Sequence, residues 1–333
     1  MKKNSLLKKI FITTLFLSVF NTLYSQQDPY FSTYLINPSI VNTSLSAVNT
    51  NNNVVLIYRN QWLNYSSTWE MGNNGNSPNT QILSINMKSR DKVYSFGLNL
   101  IADDLGPKSS FNFSPYFGLK KKIGNSFISF SLSPSFKSTT LDFGSLIFVD
   151  SSDPFNVGGK ETQSKPDVAF GVSYFSDKLL LSVGLKNISQ PSFNFGLKDL
   201  VNKEFTNLTF LGKYTISVDR DLFVEPYLLL RTDLISYTFD VSALATYKEK
   251  FNFGTSYRYE EAVVMFLGYK FLKKNKLFVG YAFDYVTNNV SAKSATSHEI
   301  VFRYDLPTPQ LKKPIRTPIF IYKFYFAIKK VFL

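Results

Sequence analysis

Eight charged residues carry the chemistry that this chain's pattern concentrates in one place. Arg59, Glu225, Arg231, Asp240, Arg258, Asp284, Glu299 and Arg303 all fall on the polar side of segments in which apolar and polar residues alternate. Four are basic and four acidic. If such segments are strands around a shared interior, all eight point inward, where a charge is costly unless it is paired or hydrated. The chemistry expected of them is ion pairing, in a network that closes one half of a lumen. A hydrated or gated channel and plain filling of the lumen are the competing readings.

Other chemistry lacks the residues it needs. His298 is the single histidine and there is no cysteine. Disulfides, thiolate metal sites and cysteine nucleophiles are therefore excluded. General acid–base catalysis requires a nucleophile or acid within reach of a base, and no nucleophile motif accompanies His298. One histidine and scattered carboxylates make no metal-ligand cluster. No catalytic residue, cofactor or metal is expected. His298 reads as a strand-start residue on the lipid-facing parity, and Asp103-Asp104 before Gly106-Pro107 reads as a turn.

The elements that must position the eight charges are strands. Phe251, Phe253, Tyr257 and Tyr259 alternate with Asn252, Gly254, Ser256 and Arg258. Leu277, Val279, Tyr281 and Phe283 alternate with Gly280, Ala282 and Asp284, and Ile300, Phe302 and Tyr304 with Glu299, Val301 and Arg303. A lipid-facing strand requires an apolar residue at every second position over about 9–11 residues. Such segments centre near Leu56, Leu83, Leu98, Tyr116, Phe130, Phe170 and Val183, and again near Leu211, Leu228, Val241, Thr255, Leu267, Tyr281 and Phe302. The expected fold class is all-β: a transmembrane antiparallel β-barrel of about fourteen strands, porin-like, in the outer membrane. A length of 333 residues suits it, and 33 Phe with 20 Tyr would supply a lipid band and its two girdles.

The connections alternate in length. Residues 89–92, 121–125, 176–178, 218–221, 248–250 and 272–276 are short, whereas 63–78, 138–165, 188–205 and 285–296 are long. Outer-membrane barrels keep short turns in the periplasm and long loops outside, so both termini are expected in the periplasm. Residues 1–25 read as a secretory signal. Lys2, Lys3, Lys8 and Lys9 precede an apolar run, residues 10–20, that is too short to cross a bilayer as a helix. Cleavage after Ser25 leaves Gln26 first. The remaining divisions are a pre-barrel segment 26–50, a barrel 51–305 and a basic tail 306–333.

The formal charge of +13 overstates the body of the chain. The four signal lysines, with Lys312, Lys313, Arg316, Lys323, Lys329 and Lys330 of the tail, have no acid among them. The barrel is thus nearly balanced, and a nucleic-acid partner has no support. In the pre-barrel segment Tyr30, Phe31 and Tyr34 precede Asn37-Pro38. Aromatics at that density bury. The segment is expected to begin on the periplasmic side and either to enter the barrel as a plug or to line the rim as a contact for a partner.

Several motifs recur in a recognisable order. Gln27-Asp28-Pro29-Tyr30-Phe31 is followed by Asn37-Pro38, and the first strand ends in Arg59-Asn60-Gln61-Trp62. Late in the chain come Gly254-Thr255-Ser256-Tyr257-Arg258, Gly280-Tyr281-Ala282-Phe283-Asp284 and Ser297-His298-Glu299. Together they resemble the PorP/SprF family of outer-membrane proteins, over residues from about 26 to 304. The resemblance implies a non-enzymatic barrel of the type IX secretion and gliding-motility apparatus that supports export or surface anchoring of a cargo. Outer-membrane lipid, periplasmic ring components and a large secreted adhesin are the implied partners. An outer-membrane channel for small or hydrophobic solutes is the alternative. Thr296 stands where the family commonly has Gly, and residues 321–333 extend past the family's pattern.

Overall fold

Alternation along the chain becomes a wall with two unlike faces. The computed structural model describes residues 29–48, 51–65, 77–148, 158–196, 201–272, 276–288 and 293–307. The first strands are β1 (Asn53–Asn60), β2 (Asn79–Lys88), β3 (Tyr94–Leu105), β4 (Lys108–Ile123), β5 (Ser126–Asp142), β6 (Lys160–Phe175) and β7 (Leu179–Lys186). A small hairpin, β8 (Ser192–Asn194) and β9 (Val201–Lys203), follows. Then come β10 (Asn207–Tyr214), its short continuation β11 (Ile216–Ser217), β12 (Leu222–Thr232) and β13 (Tyr237–Tyr247). The last are β14 (Phe251–Arg258), β15 (Ala262–Phe271), β16 (Leu277–Val286) and β17 (Thr296–Asp305).

Fourteen strands form a closed antiparallel barrel. The ring closes where β1 pairs with β17, Asn53 opposite Asp305 and Asn60 opposite His298. Each of the fourteen expected strand centres lies in a wall strand. Outward residues are large and apolar: Met265 is 64% exposed and Leu267 57%. A water-facing surface of that kind over the whole circumference would aggregate, whereas lipid covers it at no cost. Aromatic groups ring both ends of the band, with Tyr94, Phe96 and Phe117 toward one rim and Tyr237, Phe239 and Tyr259 toward the other. No helix among the described residues is long and apolar enough to cross a membrane.

Every long connection lies at one rim, and the other rim has short connections throughout. Two expected loops need correction. The stretch 138–165 is not all loop, because β5 continues to Asp142 and β6 starts at Lys160. These strand ends project beyond the lipid band, as β4, β5 and β6 have 16, 17 and 16 residues where about 9–11 suffice to span. Their projecting parts are polar on both sides, with Thr140 and Thr162 hydroxyls 2.8 Å apart. No apolar face therefore marks them as strand. In addition, Asp103 and Asp104 belong to β3, and the turn is Gly106-Pro107 alone. Asp103 is buried and accepts the Thr80 hydroxyl at 2.6 Å.

The lumen is filled by the chain that precedes β1. Three short 3₁₀ turns, Ser32–Leu35, Pro38–Ile40 and Thr43–Ala47, thread through it. Phe31, Tyr34, Leu35, Ile40, Val41 and Leu45 pack there against inward Val55, Leu211, Leu229, Val264, Phe266 and Val301. Of the two placements expected for this segment, the structure has the plug. The turn Thr43–Ala47 lies against a different part of the wall, where inward residues of β5 to β7 are Ser and Gly. Asn42 donates to Ser182 Oγ and to the Val183 carbonyl, both at 2.7 Å, and Thr43 Oγ1 lies 2.8 Å from Ser131 Oγ.

Close approach explains two glycines. A Cβ on Gly171 would collide with the Asn42 amide oxygen, and one on Gly184 would lie 2.7 Å from Thr209 Oγ1. Gly171→Val should therefore displace the plug at Asn42 while leaving the wall paired, at a cost of about 1–3 kcal/mol. Hydrogen exchange is expected to accelerate at residues 42–48 and to stay unchanged in β6. Unchanged exchange at both would contradict this packing.

Candidate functional site

Six of the eight expected inward charges meet in one cluster at the long-loop half of the lumen. Their strands bring them there by register. Arg59 near the end of β1 lies opposite Glu299 near the start of β17, and Asp240 near the start of β13 lies opposite Arg258 at the end of β14. Arg59 Nη1 is 2.9 Å from Asp284 and 3.1 Å from Glu299. Arg231 and Arg258 share Asp240, at 3.2 and 3.3 Å. Arg258 also stands 3.6 Å from Asp284 and from Glu261. All of these side chains are buried.

The plug is part of the same cluster. Backbone N–H groups of Ser32 and Thr33 donate to Glu299 at 2.8 and 3.2 Å, and the Thr33 hydroxyl donates to it as well. Ser32 Oγ donates to Asp284 at 2.8 Å and accepts from Arg258 Nη2 at 3.2 Å. The Tyr30 ring covers the Arg231 guanidinium, 4.4 Å from its centroid. Tyr34 hydroxyl lies 2.7 Å from Ser242 Oγ, which donates on to Ser256 at 2.6 Å. Free N–H groups at the start of a helical turn favour a carboxylate, so Glu299 holds both the guanidinium of β1 and the first turn of the plug.

Sequence reasoning missed Glu261, Ser32, Thr33 and Tyr30 as members. Glu261 sits in the turn after β14, outside the alternation. The other three precede the barrel, and no periodicity relates them to inward wall positions. Glu225 and Arg303 are inward but lie apart from the cluster, near the short-turn rim. There Glu225 pairs with Lys213 at 2.6 Å and Arg303 with Asp305 at 2.9 Å. The first described residues of the plug reach Arg231 at the long-loop half, and its foot reaches the short-turn rim. The plug thus runs opposite to the expectation that it begins on the short-turn side.

The rim positions divide similarly. Trp62 donates its backbone N–H to Ser297 Oγ at 3.0 Å and carries the Lys293 ammonium over its ring at 5.3 Å. Asn60 and Gln61 continue the hydrogen bonding of β1, with Gln61 N–H on the Pro78 carbonyl at 2.8 Å. His298 faces outward, with Nδ1 2.5 Å from the Tyr281 hydroxyl and Phe283 edge-on at 5.5 Å. Inside, Gly280 leaves space that Phe266, Phe278 and Val301 occupy. Pro29 lines a chamber beside the plug, while Gln27 and Asp28 lie outside the described residues. Among those residues no group of His, Cys, Asp and Glu is placed to hold a metal ion.

The plug divides what space remains. The chamber, of about 110 Å³, lies between Tyr30, Phe31, Ile40 and Val41 of the plug and Ile82 and Ile101 of the wall. A vestibule of about 470 Å³ opens toward the short-turn rim, lined by Ile36, Lys213, Glu225, Lys270 and Arg303. Above the chamber the connection after β7 folds inward, with buried Glu204 held by Lys137 at 2.5 Å.

A closed antiparallel barrel with a lipid-facing aromatic exterior and a filled polar interior is an outer-membrane β-barrel. A solved structure of that class shares the fold, and others align more loosely. The Ralstonia pickettii toluene transporter TbuX aligns with a TM-score of 0.53 at 10% identity, over 81% of this chain and 93% of that one. The CymD monoaromatic hydrocarbon channel aligns at 0.49 and 10% identity, over 87% and 96%. Omp33 of Acinetobacter baumannii aligns at 0.44 and 9%, over 77% and 99%. At such identity the likeness concerns the barrel alone. No curated protein matches the chain.

The chain belongs to the PorP/SprF family, described as type IX secretion system membrane proteins, which it matches over residues 23–304. The motifs that suggested the family are also where the cluster is built. Arg59, Arg258, Asp284 and Glu299 pair within it, and Ser297 ties the rim to Trp62.

Proposed function

We propose that this type IX secretion component is a sealed, non-enzymatic platform that supports export or surface anchoring of a cargo protein such as a large adhesin. The short-turn rim faces the periplasm and meets ring components of the machinery. The long loops face outward, where the cargo is held, and lipid of the outer membrane surrounds the wall. The observation that supports this reading best is the plug locked into the charge cluster, which leaves the lumen to structure rather than to passage. A channel for small or hydrophobic solutes needs a continuous path, and the plug occupies the place where that path would run.

The test is affinity isolation of the tagged protein from its own cells in mild detergent, with mass spectrometry of what accompanies it. Periplasmic ring subunits or a large adhesin are expected. Recovery of the barrel alone, repeated after crosslinking in intact cells, would overturn the platform reading.

A further inference from the structure

Charge is unevenly distributed between the two rims. At the short-turn rim, the β2–β3 and β4–β5 hairpins bring together Lys88, Arg90, Lys92, Lys120, Lys121 and Lys122, with Asp91 as the single acid among them. The two hairpins form one lip, because the Lys120 N–H donates to the Val93 carbonyl at 2.7 Å. Asp91 is engaged within its own turn. The Ser89 hydroxyl and the Val93 N–H donate to it and hold its carboxyl below the usual range. None of the six cations takes part in an ion pair among the described residues. From the same rim, after Asp305, departs a tail with six further cations and no acid.

Parity decides what such a lip faces. Ser84 and Asn86 of β2 are inward, and Lys88 continues that face with its ammonium 3.4 Å from the Ala47 carbonyl at the foot of the plug. Tyr116 of β4 is inward, and so by alternation are Lys120 and Lys122. Arg90 and Lys92 are in the turn itself. Of the lysines on β2 and β4, only Lys121 is on the lipid side. Lys88, Lys120 and Lys122 line the edge of the mouth on the side of the plug, and Arg90 and Lys92 stand exposed in the turn above them.

We infer that this lip is a docking site for an acidic segment of a periplasmic protein, received at the mouth of the barrel against the foot of the plug. The inference rests on the orientation and partner class of the proposed function and adds the chemistry and place of the contact. Like charges held together without an anionic partner repel, and an acidic chain relieves that repulsion while steering its own approach.

Two measurements on the full-length protein separate this site from the platform reading. In detergent micelles, a fluorescein-labelled octaglutamate peptide is titrated at low salt by anisotropy. The probe is expected to bind about tenfold more weakly to K120E/K122E than to the unaltered protein, and the matched pair K248E/K250E on the same rim to change it little. Anionic phospholipid vesicles are the competitor. Equal loss in both pairs, no loss in either, or displacement of the probe by vesicles at equal charge would overturn the acidic-segment site. In cells, K120E/K122E should lose co-isolated periplasmic partners that K248E/K250E retains, both barrels remaining heat-modifiable on gels. Partners retained by K120E/K122E would overturn the docking role. Site-specific octaglutamate binding with no partner recovered from unaltered cells would leave the acidic-chain site standing and sink the platform reading instead.

Discussion

Removing residues 29–48 should turn a silent barrel into a conducting one. The intact protein is expected to pass no steady current in planar bilayers, since the plug and the charge cluster fill the lumen between the two rims. Without the plug, Asp240, Asp284 and Glu299 lose their cover and water enters to hydrate them. The wall keeps every strand pairing, so the barrel still inserts. It does so with less stability. Burial of Phe31, Tyr34, Leu35, Ile40, Val41 and Leu45 disappears, each worth about 1.5–3 kcal/mol, or on the order of 10 kcal/mol gross. Conductance recordings and the temperature of heat-modification on gels measure the two effects. A large steady conductance from the intact protein would sink the sealed-lumen reading, and a silent deletion variant would show that the seal lies elsewhere. The shorter deletion of residues 26–36 takes only the first turn and should release the plug from the cluster, impairing partner recovery while the barrel still inserts.

Glu299→Ala is the point substitution with the largest expected effect. It leaves Arg59 with Asp284 alone, and it strips acceptors from the Ser32 and Thr33 N–H groups and from the Thr33 hydroxyl. Breaking one side of a buried pair costs about 3–5 kcal/mol, because the remaining charge stays buried without compensation. Hydrogen exchange at residues 32–35 should rise before any wall strand responds. Glu299→Gln keeps one of the two acceptor oxygens for the plug and should cost less. The double variant Arg59→Met with Glu299→Met should recover part of the loss, since no unpaired charge remains. A melting transition for Glu299→Ala within about 0.5 kcal/mol of the unaltered protein would mean that the cluster does not hold the plug.

Much of the wall is legible in the alternation of residue types alone. Phe251, Phe253 and Tyr257 face out while Asn252, Ser256 and Arg258 face in because a strand's side chains alternate, and lipid on one side demands one kind of residue there. The same rule placed all eight charges inward. It failed for the projecting ends of β5 and β6, where water lies on both sides and alternation carries no information. It was silent on Glu261, which a turn delivers to the cluster.

Residue order along the chain is enough to dictate the barrel, its strand count, the parity of the eight charges and the family. Each follows from a local rule, either the period of two or a motif in its order. The three-dimensional fold was needed to place residues 29–48 inside, and to bring Ser32 and Thr33 onto Glu299. It alone shows Arg59, Arg231 and Arg258 sharing carboxylates across β12, β13, β14, β16, β17 and β1. The contacts made by Ser32, Thr33 and Arg59 join residues more than 200 positions apart. They exist because closing the sheet on itself brings its first and last strands together around a chain segment that has no periodicity of its own.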